Sequence, residues 1–393
     1  MNSPWDEIIE RRGTNSLKYD FAAQRGKPDD VLPLWVADMD FRTSPAVLSA
    51  LKQAVEHGIF GYSESGQDYF EALQRWYRKN FNWSIQKEWL VKTPGIVFAI
   101  HAAVRALTEK GDAVLIQRPV YYPFTESIQN NGRVLINNPL VYSDGRYTID
   151  FADFEQKIVD NRVKLFLLCS PHNPVGRVWS REELNRLGEI CARHNVVVLS
   201  DEIHADFVYG GNRHTVFANL SPAFAQQCIV CTAPSKSFNL AGLQISNIFI
   251  PNRELREKFQ AEVNRTGYSQ LNGLGLVACQ AAYEHGEEWQ NELRGYLVSN
   301  LNFVRKFLKE NIPQIKLVEP QGTYLVWLDC NALGLNSTEL ENLIVHRAKL
   351  WLDKGELFGP EGKGFERINI ACPRATLENA LTKLKAAVDE RLS

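Results

Sequence analysis

The feature that narrows the fold most is a rhythm between residues 95 and 250, where short apolar runs alternate with amphipathic stretches. Five runs stand out, at 113–117, 165–169, 196–200, 229–232 and 247–250, each only four or five residues long and rich in Val, Ile, Leu or Phe. Runs this short and this continuous are strands buried on both faces. Strands separated by helical patterns build βαβ units around a mostly parallel sheet. One intervening helix is marked at its start: Ser180 opens Ser-Arg-Glu-Glu, a capping-box spacing, and Leu184, Leu187, Ile190 and Cys191 follow at helical steps. After about residue 289 the texture changes to long amphipathic helices around two extended pieces, 323–328 and 366–370, which predicts a smaller α+β domain. Pro28, Pro33 and Pro45 punctuate an irregular start. The expected division is a segment 1–45 wrapping onto the small domain, a large domain 46–285 and a small C-terminal domain 286–393. No repeat or low-complexity tract interrupts this plan.

Composition removes several functions. Lys plus Arg number 44 and Asp plus Glu 46, so the net charge is −2 over 393 residues. Nucleic acid and anionic membranes usually demand a clustered basic surplus, so neither is an expected partner. No apolar run approaches the length of a spanning helix, and residues 1–12 lack the apolar stretch of a secretory signal. The expected location is the cytoplasm. Seven cysteines, an odd and scattered set, do not form a disulfide framework. Cys228 and Cys231 make a CxxC, but it lies inside an apolar run with no second ligand pair, so buried strand cysteines are expected and no metal.

In an open parallel sheet, ligands gather beyond the carboxyl ends of the strands. Three runs deliver chemistry there. The run 165–169 empties into Ser170-Pro171-His172-Asn173-Pro174, 196–200 into Asp201-Glu202-Ile203-His204, and 229–232 into Ala233-Pro234-Ser235-Lys236-Ser237-Phe238-Asn239. An amide, a carboxylate and an amine would converge on one crevice. That set suits pyridoxal phosphate, for which a lysine forms a Schiff base, an acid pairs with the pyridinium nitrogen and a neutral donor steadies the ring hydroxyl oxygen. Taken singly, a lysine is usually solvated surface, an acid after a strand a helix cap, and Asn-Pro a turn. Their joint occurrence in this order is far more specific.

Those motifs, Asn173-Pro174-Val175-Gly176, Ser200-Asp201-Glu202-Ile203-His204 and Ser235-Lys236-Ser237-Phe238-Asn239, resemble fold type I pyridoxal-phosphate enzymes of the class I and II aminotransferase superfamily. More narrowly the chain resembles the cystathionine β-lyase, or carbon–sulfur lyase, branch, and the likeness spans nearly the full length, including Leu34-Trp35-Val36-Ala37-Asp38-Met39-Asp40-Phe41, Gly58-Ile59-Phe60-Gly61-Tyr62 and Arg367-Ile368-Asn369. The resemblance implies a transferase-like α/β fold with a mostly parallel central sheet. It makes Lys236 the Schiff-base lysine, Asp201 the partner of the pyridine nitrogen and Asn173 a donor to the ring hydroxyl oxygen. His204 stands where many relatives carry a tyrosine serving that same oxygen. Tyr121 matches the aromatic that stacks on the ring, with a catalytic part beside Lys236 and Asp201. Gly95, Ile96 and Val97 offer backbone N–H groups to a phosphate at a helix N-terminus, a site physics favours, and Ser235 adds a hydroxyl. Tyr62 is the tyrosine that relatives lend to the neighbouring subunit, which implies a homodimer with a composite site. Arg367 matches the arginine on the substrate's α-carboxylate, with Asn173 and Tyr62 close by. Gln244 and Ala233 depart from the pattern of many aminotransferases, which carry a phosphate-binding arginine and serine there.

Other matches lose to their context. The sequence Asp201-Glu202-Ile203-His204 also looks like a helicase metal box, but no GxxxxGK[ST] loop precedes it. The GxGxxA stretch at 273–278 follows no strand, so helix packing is expected of it. Arg374, the rival of Arg367, reads as a helix-entry or domain-contact residue. The expected activity is a pyridoxal-phosphate-dependent β-lyase that cleaves L-cystathionine or related cysteine S-conjugates to a thiol, pyruvate and ammonia. Tyr19, Trp35, Tyr122 and the 351–364 loop would shape its pocket. The alternatives are an aminotransferase on the same cofactor, or a regulatory protein that retains it.

Overall fold

The computed structural model describes residues 3–392; residues 1, 2 and 393, the extreme ends of the expected first and last segments, lie outside the described residues. Its centre is a seven-stranded sheet in the order Leu90–Thr93, Ser246–Phe249, Cys228–Thr232, Val197–Asp201, Leu165–Cys169, Ala113–Ile116 and Val134–Asn137. Ser246–Phe249 runs antiparallel to both neighbours, and the other pairings are parallel. Alternate residues of the inner strands enter two separate cores. Leu115, Phe166, Leu168, Val198 and Val230 pack on one face, while Val114, Leu165, Leu167, Leu199, Ile229 and Cys231 pack on the other. Both faces are dry, which is why these strands read as unbroken apolar runs instead of alternating ones.

The five expected strands all form: 165–169 as expected, two shifted by one residue, and two differing by one residue at one end. The shift to Val197–Asp201 places Asp201 at the last position of its strand. Leu90–Thr93 and Val134–Asn137 were not foreseen. Both are partly exposed edge strands; Leu90–Thr93 is interrupted by Lys92, and the apolar part of Val134–Asn137 is only three residues long. The helix after Ser180 forms over Arg181–Arg193 with the capping box complete.

Beyond the 25-residue helix Glu287–Asn311 lies an antiparallel sheet in the order Lys316–Val318, Leu325–Asp329, Phe365–Asn369 and Asp353–Lys354. The helix Arg374–Leu392 follows. Trp5, Leu34, Met39 and Phe41 from the start of the chain share one apolar cluster with Leu297, Leu301, Val326, Ile368 and Leu381. Leu32–Pro33 pairs in parallel with Leu350–Trp351. Two asparagines clasp the connecting stretch from opposite sides. Asn239 Nδ2 donates to the carbonyls of Met39 (3.0 Å) and Phe41 (2.9 Å), and Asn369 Nδ2 donates to those of Val36 and Asp38, each at 2.6 Å. The segment 34–41 is thereby fixed against the ends of two sheets. No helix among the described residues is long and apolar enough to cross a membrane.

Candidate active site

Three parallel strands and one helix end deliver the expected residues to a single cavity of about 200 Å³. Its lining includes Gly95, Ile96, Val97, Tyr121, Asn173, Asp201, His204, Ser235, Lys236 and Gln244. Asp201 ends its strand and is 4% exposed. Its Oδ1 accepts from the backbone N–H of Ile203 at 3.2 Å. Lys236 sits on the short turn Pro234–Ser237 beyond the next strand, and its Nζ donates to the Ala37 carbonyl at 2.8 Å. Tyr324 Oη donates to that same carbonyl at 2.9 Å. Tyr121 hangs from the neighbouring loop, its N–H bonded to the Asn173 carbonyl at 3.1 Å.

Burial sets the electrostatics. It pushes the Asp201 carboxyl up to about 7, opposed by the Ile203 N–H and the Lys236 cation. It pulls the Lys236 amine down to about 8, and the Arg367 cation adds to that shift while Asp38 and Asp201 resist it. A poorly solvated amine loses its proton readily, and so becomes nucleophilic and basic near neutral pH. His204 is held well below its ordinary range, first by burial and then by the Lys236 and Arg367 cations. Its ring is therefore neutral, and its Nδ1 is buried without a partner among the described residues.

Arg367 lies beside this cavity, 3% exposed, on the strand Phe365–Asn369. It donates from Nη1 to Asn173 Oδ1 at 2.9 Å and from Nη2 to the Trp35 carbonyl at 2.9 Å, and it is ion-paired with Asp353. Its Nε has no partner among the described residues. Asn173 therefore joins the guanidinium to the cavity. On the far side a second cavity, about 740 Å³, is lined by Trp35, Tyr122, Trp351 and Asp353. Trp35 stacks on Trp351 with centroids 4.4 Å apart. Tyr19 does not reach it and instead donates to Asp40 at 3.1 Å.

One expected residue is not brought in. Tyr62 is 92% exposed and lies outside the cavity lining. Sequence reading also missed residues that the site uses. Asp353 has no motif of its own and pairs with Arg367 only because the strand register sets Asp353 opposite Arg367. The Ala37 carbonyl is a backbone group and leaves no trace in side-chain identity. The competing motifs find structural places. Cys228 and Cys231 are fully buried in a strand. No cluster capable of holding a metal occurs among the described residues. In the helix Gly273–His285, a Cβ at Gly275 would stand 2.5 Å from the Leu243 carbonyl, a close-packing role for that glycine. Arg374 contacts Asn300 and Ser299, away from the cavity.

The residues fit pyridoxal phosphate on their own chemistry. A single lysine lines the cavity, a buried carboxylate shares it, and His204 offers a buried ring nitrogen with nothing to bond. At Gly95 a Cβ would meet no atom within 4 Å, so space lies open before the helix Ile96–Leu107, where the first N–H groups lack intrahelical partners. Gln244 also faces this space, a neutral amide where a cation would bind phosphate more strongly.

Comparison with known proteins agrees with this geometry. The family model for aminotransferase class I and II matches residues 29–384. A Bacillus subtilis protein named cystathionine beta-lyase PatB is 45% identical over 384 residues, covering 98% of this chain and 99% of that protein. Protein MalY of Escherichia coli is 33% identical over 386 residues and covers 98% of each chain. Among solved structures, cystalysin from Treponema denticola, which contains a pyridoxal 5'-phosphate cofactor, superimposes with a TM-score of 0.96 at 37% identity, over 99% of this chain and 100% of that one.

Proposed function

The chain belongs to the class I and II aminotransferase family, and from that premise we propose that it is a pyridoxal-phosphate-dependent carbon–sulfur β-lyase acting on L-cystathionine or related cysteine S-conjugates. The observation that carries this reading is the convergence of the Lys236 amine and the buried Asp201 carboxylate on one cavity. The full-length likeness to a protein named cystathionine beta-lyase supplies the choice of reaction. Bound pyridoxal phosphate supplies a sink for the electron pair left when the substrate's α-proton departs.

The residues then take distinct parts. Lys236 would hold the cofactor covalently through Nζ and, once displaced by the substrate's amine, would remove the α-proton at that same nitrogen. Asp201 would hold the proton on the pyridine nitrogen, where its negative charge is strongest because the site is dry. Asn173 and neutral His204 would bond the ring hydroxyl oxygen without adding charge. Tyr121 would cover one ring face, and the backbone of Gly95, Ile96 and Val97 with Ser235 would bind the phosphate. Arg367 would grip the α-carboxylate through its planar fork, already oriented by Asn173, Trp35 and Asp353.

The homodimer expected from the sequence is supported by the exposed run that contains Ile59, Phe60 and Tyr62, at 73, 69 and 92%. Surface apolar groups of this size mark an interface, and a partner would bring its own copy of Tyr62 to the site. The division near residues 45 and 285 is supported by the apolar cluster that unites the start of the chain with the C-terminal sheet and helices. A cytoplasmic location is supported by seven cysteines that are all buried and unpaired.

Two outcomes separate the lyase from a transaminase. Incubation with L-cystathionine should yield pyruvate, ammonia and free thiol in equal amounts, while an amino acid with 2-oxoglutarate should yield little glutamate. Glutamate as the main product would reject the lyase reading. Replacement of Arg367 by lysine should lower kcat/KM by roughly 10- to 100-fold, the worth of a lost charged hydrogen bond. Most of that loss should appear in KM, with the bound-cofactor absorbance unchanged. Cofactor uptake gives a third check. With its amine near 8, Lys236 is neutral in about a tenth of molecules at pH 7 and nine-tenths at pH 9. Uptake by the cofactor-free protein should therefore quicken about tenfold across that interval; a flat profile would count against Lys236 as the attachment point.

A further inference from the structure

A groove of about 590 Å³ lies away from this site, where the end of the helix Gln67–Phe81, the loop 205–219 and the helix Glu287–Asn311 meet. Its volume falls in the range of small-molecule sites. Its charge is one-sided. Arg181, Arg213 and Arg294 line it, and none of the three has a hydrogen bond or ion pair among the described residues. Lys79 lines it too but is paired with Glu287 at 2.7 Å. The acid in the lining, Asp206, is turned inward. Its carboxylate accepts from Ser237 Oγ and, at 3.2 Å, from Trp76 Nε1, and burial raises its pKa. His214 is occupied with buried Glu202 at 2.7 Å. Three guanidinium groups without a hydrogen bond or ion pair among the described residues therefore line one concavity, and the inward-turned Asp206 feels the Arg294 charge without bonding to it.

Solvated arginines on a convex surface would carry no such meaning. Here they approach a concavity from three separate elements: exposed Arg181 at the first turn of Arg181–Arg193, exposed Arg213 from the loop, and half-buried Arg294 from Glu287–Asn311. Asn80, Asn212 and Gln290 also line the groove, Asn212 bonded to Tyr209 and Gln321 and Gln290 to Asp206. We propose that this groove is a binding site for a small phosphate-bearing polyanion, held by the forks of Arg181, Arg213 and Arg294. Guanidinium forks match paired phosphate oxygens, and two or more charges on the ligand offset their mutual repulsion. The occupant would tie the large-domain loop to the helix Glu287–Asn311. The floor of the groove connects to the catalytic turn, since Gln290 Nε2 donates to the Asp206 carbonyl at 3.1 Å and the Asp206 carboxylate holds Ser237, the neighbour of Lys236.

The test is calorimetric titration of the cofactor-loaded protein with inorganic pyrophosphate, in which the cofactor already fills the phosphate cradle at Gly95. One pyrophosphate per chain is expected. Arg213→Ala and Arg294→Ala should each weaken it about tenfold, and pyrophosphate should raise the Tm of the parent protein more than that of the double variant. Arg253→Ala, which removes an exposed arginine away from the groove, paired with Glu257 within the helix Arg253–Arg265, should bind as the parent does. The proposal is overturned by the absence of saturable binding at about 0.1 M salt, or by equal losses in all three variants. Citrate binding tighter than pyrophosphate would overturn the assignment to phosphate. None of these readouts depends on the lyase reaction, so failure here leaves the reading of the Lys236 site intact.

Discussion

Replacing Lys236 by alanine is expected to lower turnover of L-cystathionine by at least about 10,000-fold, because one atom performs two tasks. On the reading proposed above, Nζ would be the covalent anchor and, once free, the base. Lys236 is the sole lysine lining the cavity. Lys18, the other buried lysine of the region, is held by Asp40 at 2.9 Å and does not line it. The fold should survive. The Ala37 carbonyl that Lys236 occupies still receives the Tyr324 hydroxyl, and removing a buried amine relieves the desolvation that depresses its pKa. An unchanged Tm together with loss of both activity and the visible absorbance of lysine-bound cofactor is the expected pattern. A variant that keeps turnover would remove Lys236 from the chemistry.

The second large effect is expected at Asp201. Asparagine has the same shape and can still accept from the Ile203 N–H, so Asp201→Asn changes charge and little else. At 4% exposure the carboxylate has almost no water to share its charge, so burial, with a smaller push from the Glu202 charge, lifts it to about 7. A cation brought beside it favours the ionised form, and the two charges hold each other in place. Loss of such a preorganised charge costs on the order of 100- to 1,000-fold in kcat. The loss should lie in kcat more than in KM, because the α-carboxylate contact is the part proposed for Arg367. Wild-type kcat in Asp201→Asn would mean that the acid is merely a buried strand end.

The strands that carry these groups were readable for a physical reason. A strand covered on both faces has no polar alternation, so 165–169 and its neighbours stand out, and each of them empties into a loop that contributes to the cavity lining. Edge strands obey the opposite rule, and Leu90–Thr93 and Val134–Asn137 vanish into mixed composition. In the site, Lys236, Asp201 and Asn173 announce themselves by their position at or just past a strand end. Contacts across long separations do not. Arg367 meets Asn173 over 194 residues of chain, and Asp353 meets Arg367 through sheet register, a property of pairing that no single stretch records. The clasp of Asn239 and Asn369 on segment 34–41 is likewise a tertiary fact, although each asparagine lies in a motif already noticed. Tyr62 marks the remaining boundary. Nothing in its own surroundings ties it to the cavity, and its expected part requires a second chain.

Borohydride reduction of the cofactor-loaded protein, with peptide mass spectrometry of the product, tests the central claim most directly. The reduced cofactor should be found on Lys236 alone, at one per chain. Its recovery on another lysine, or on none, would contradict the account.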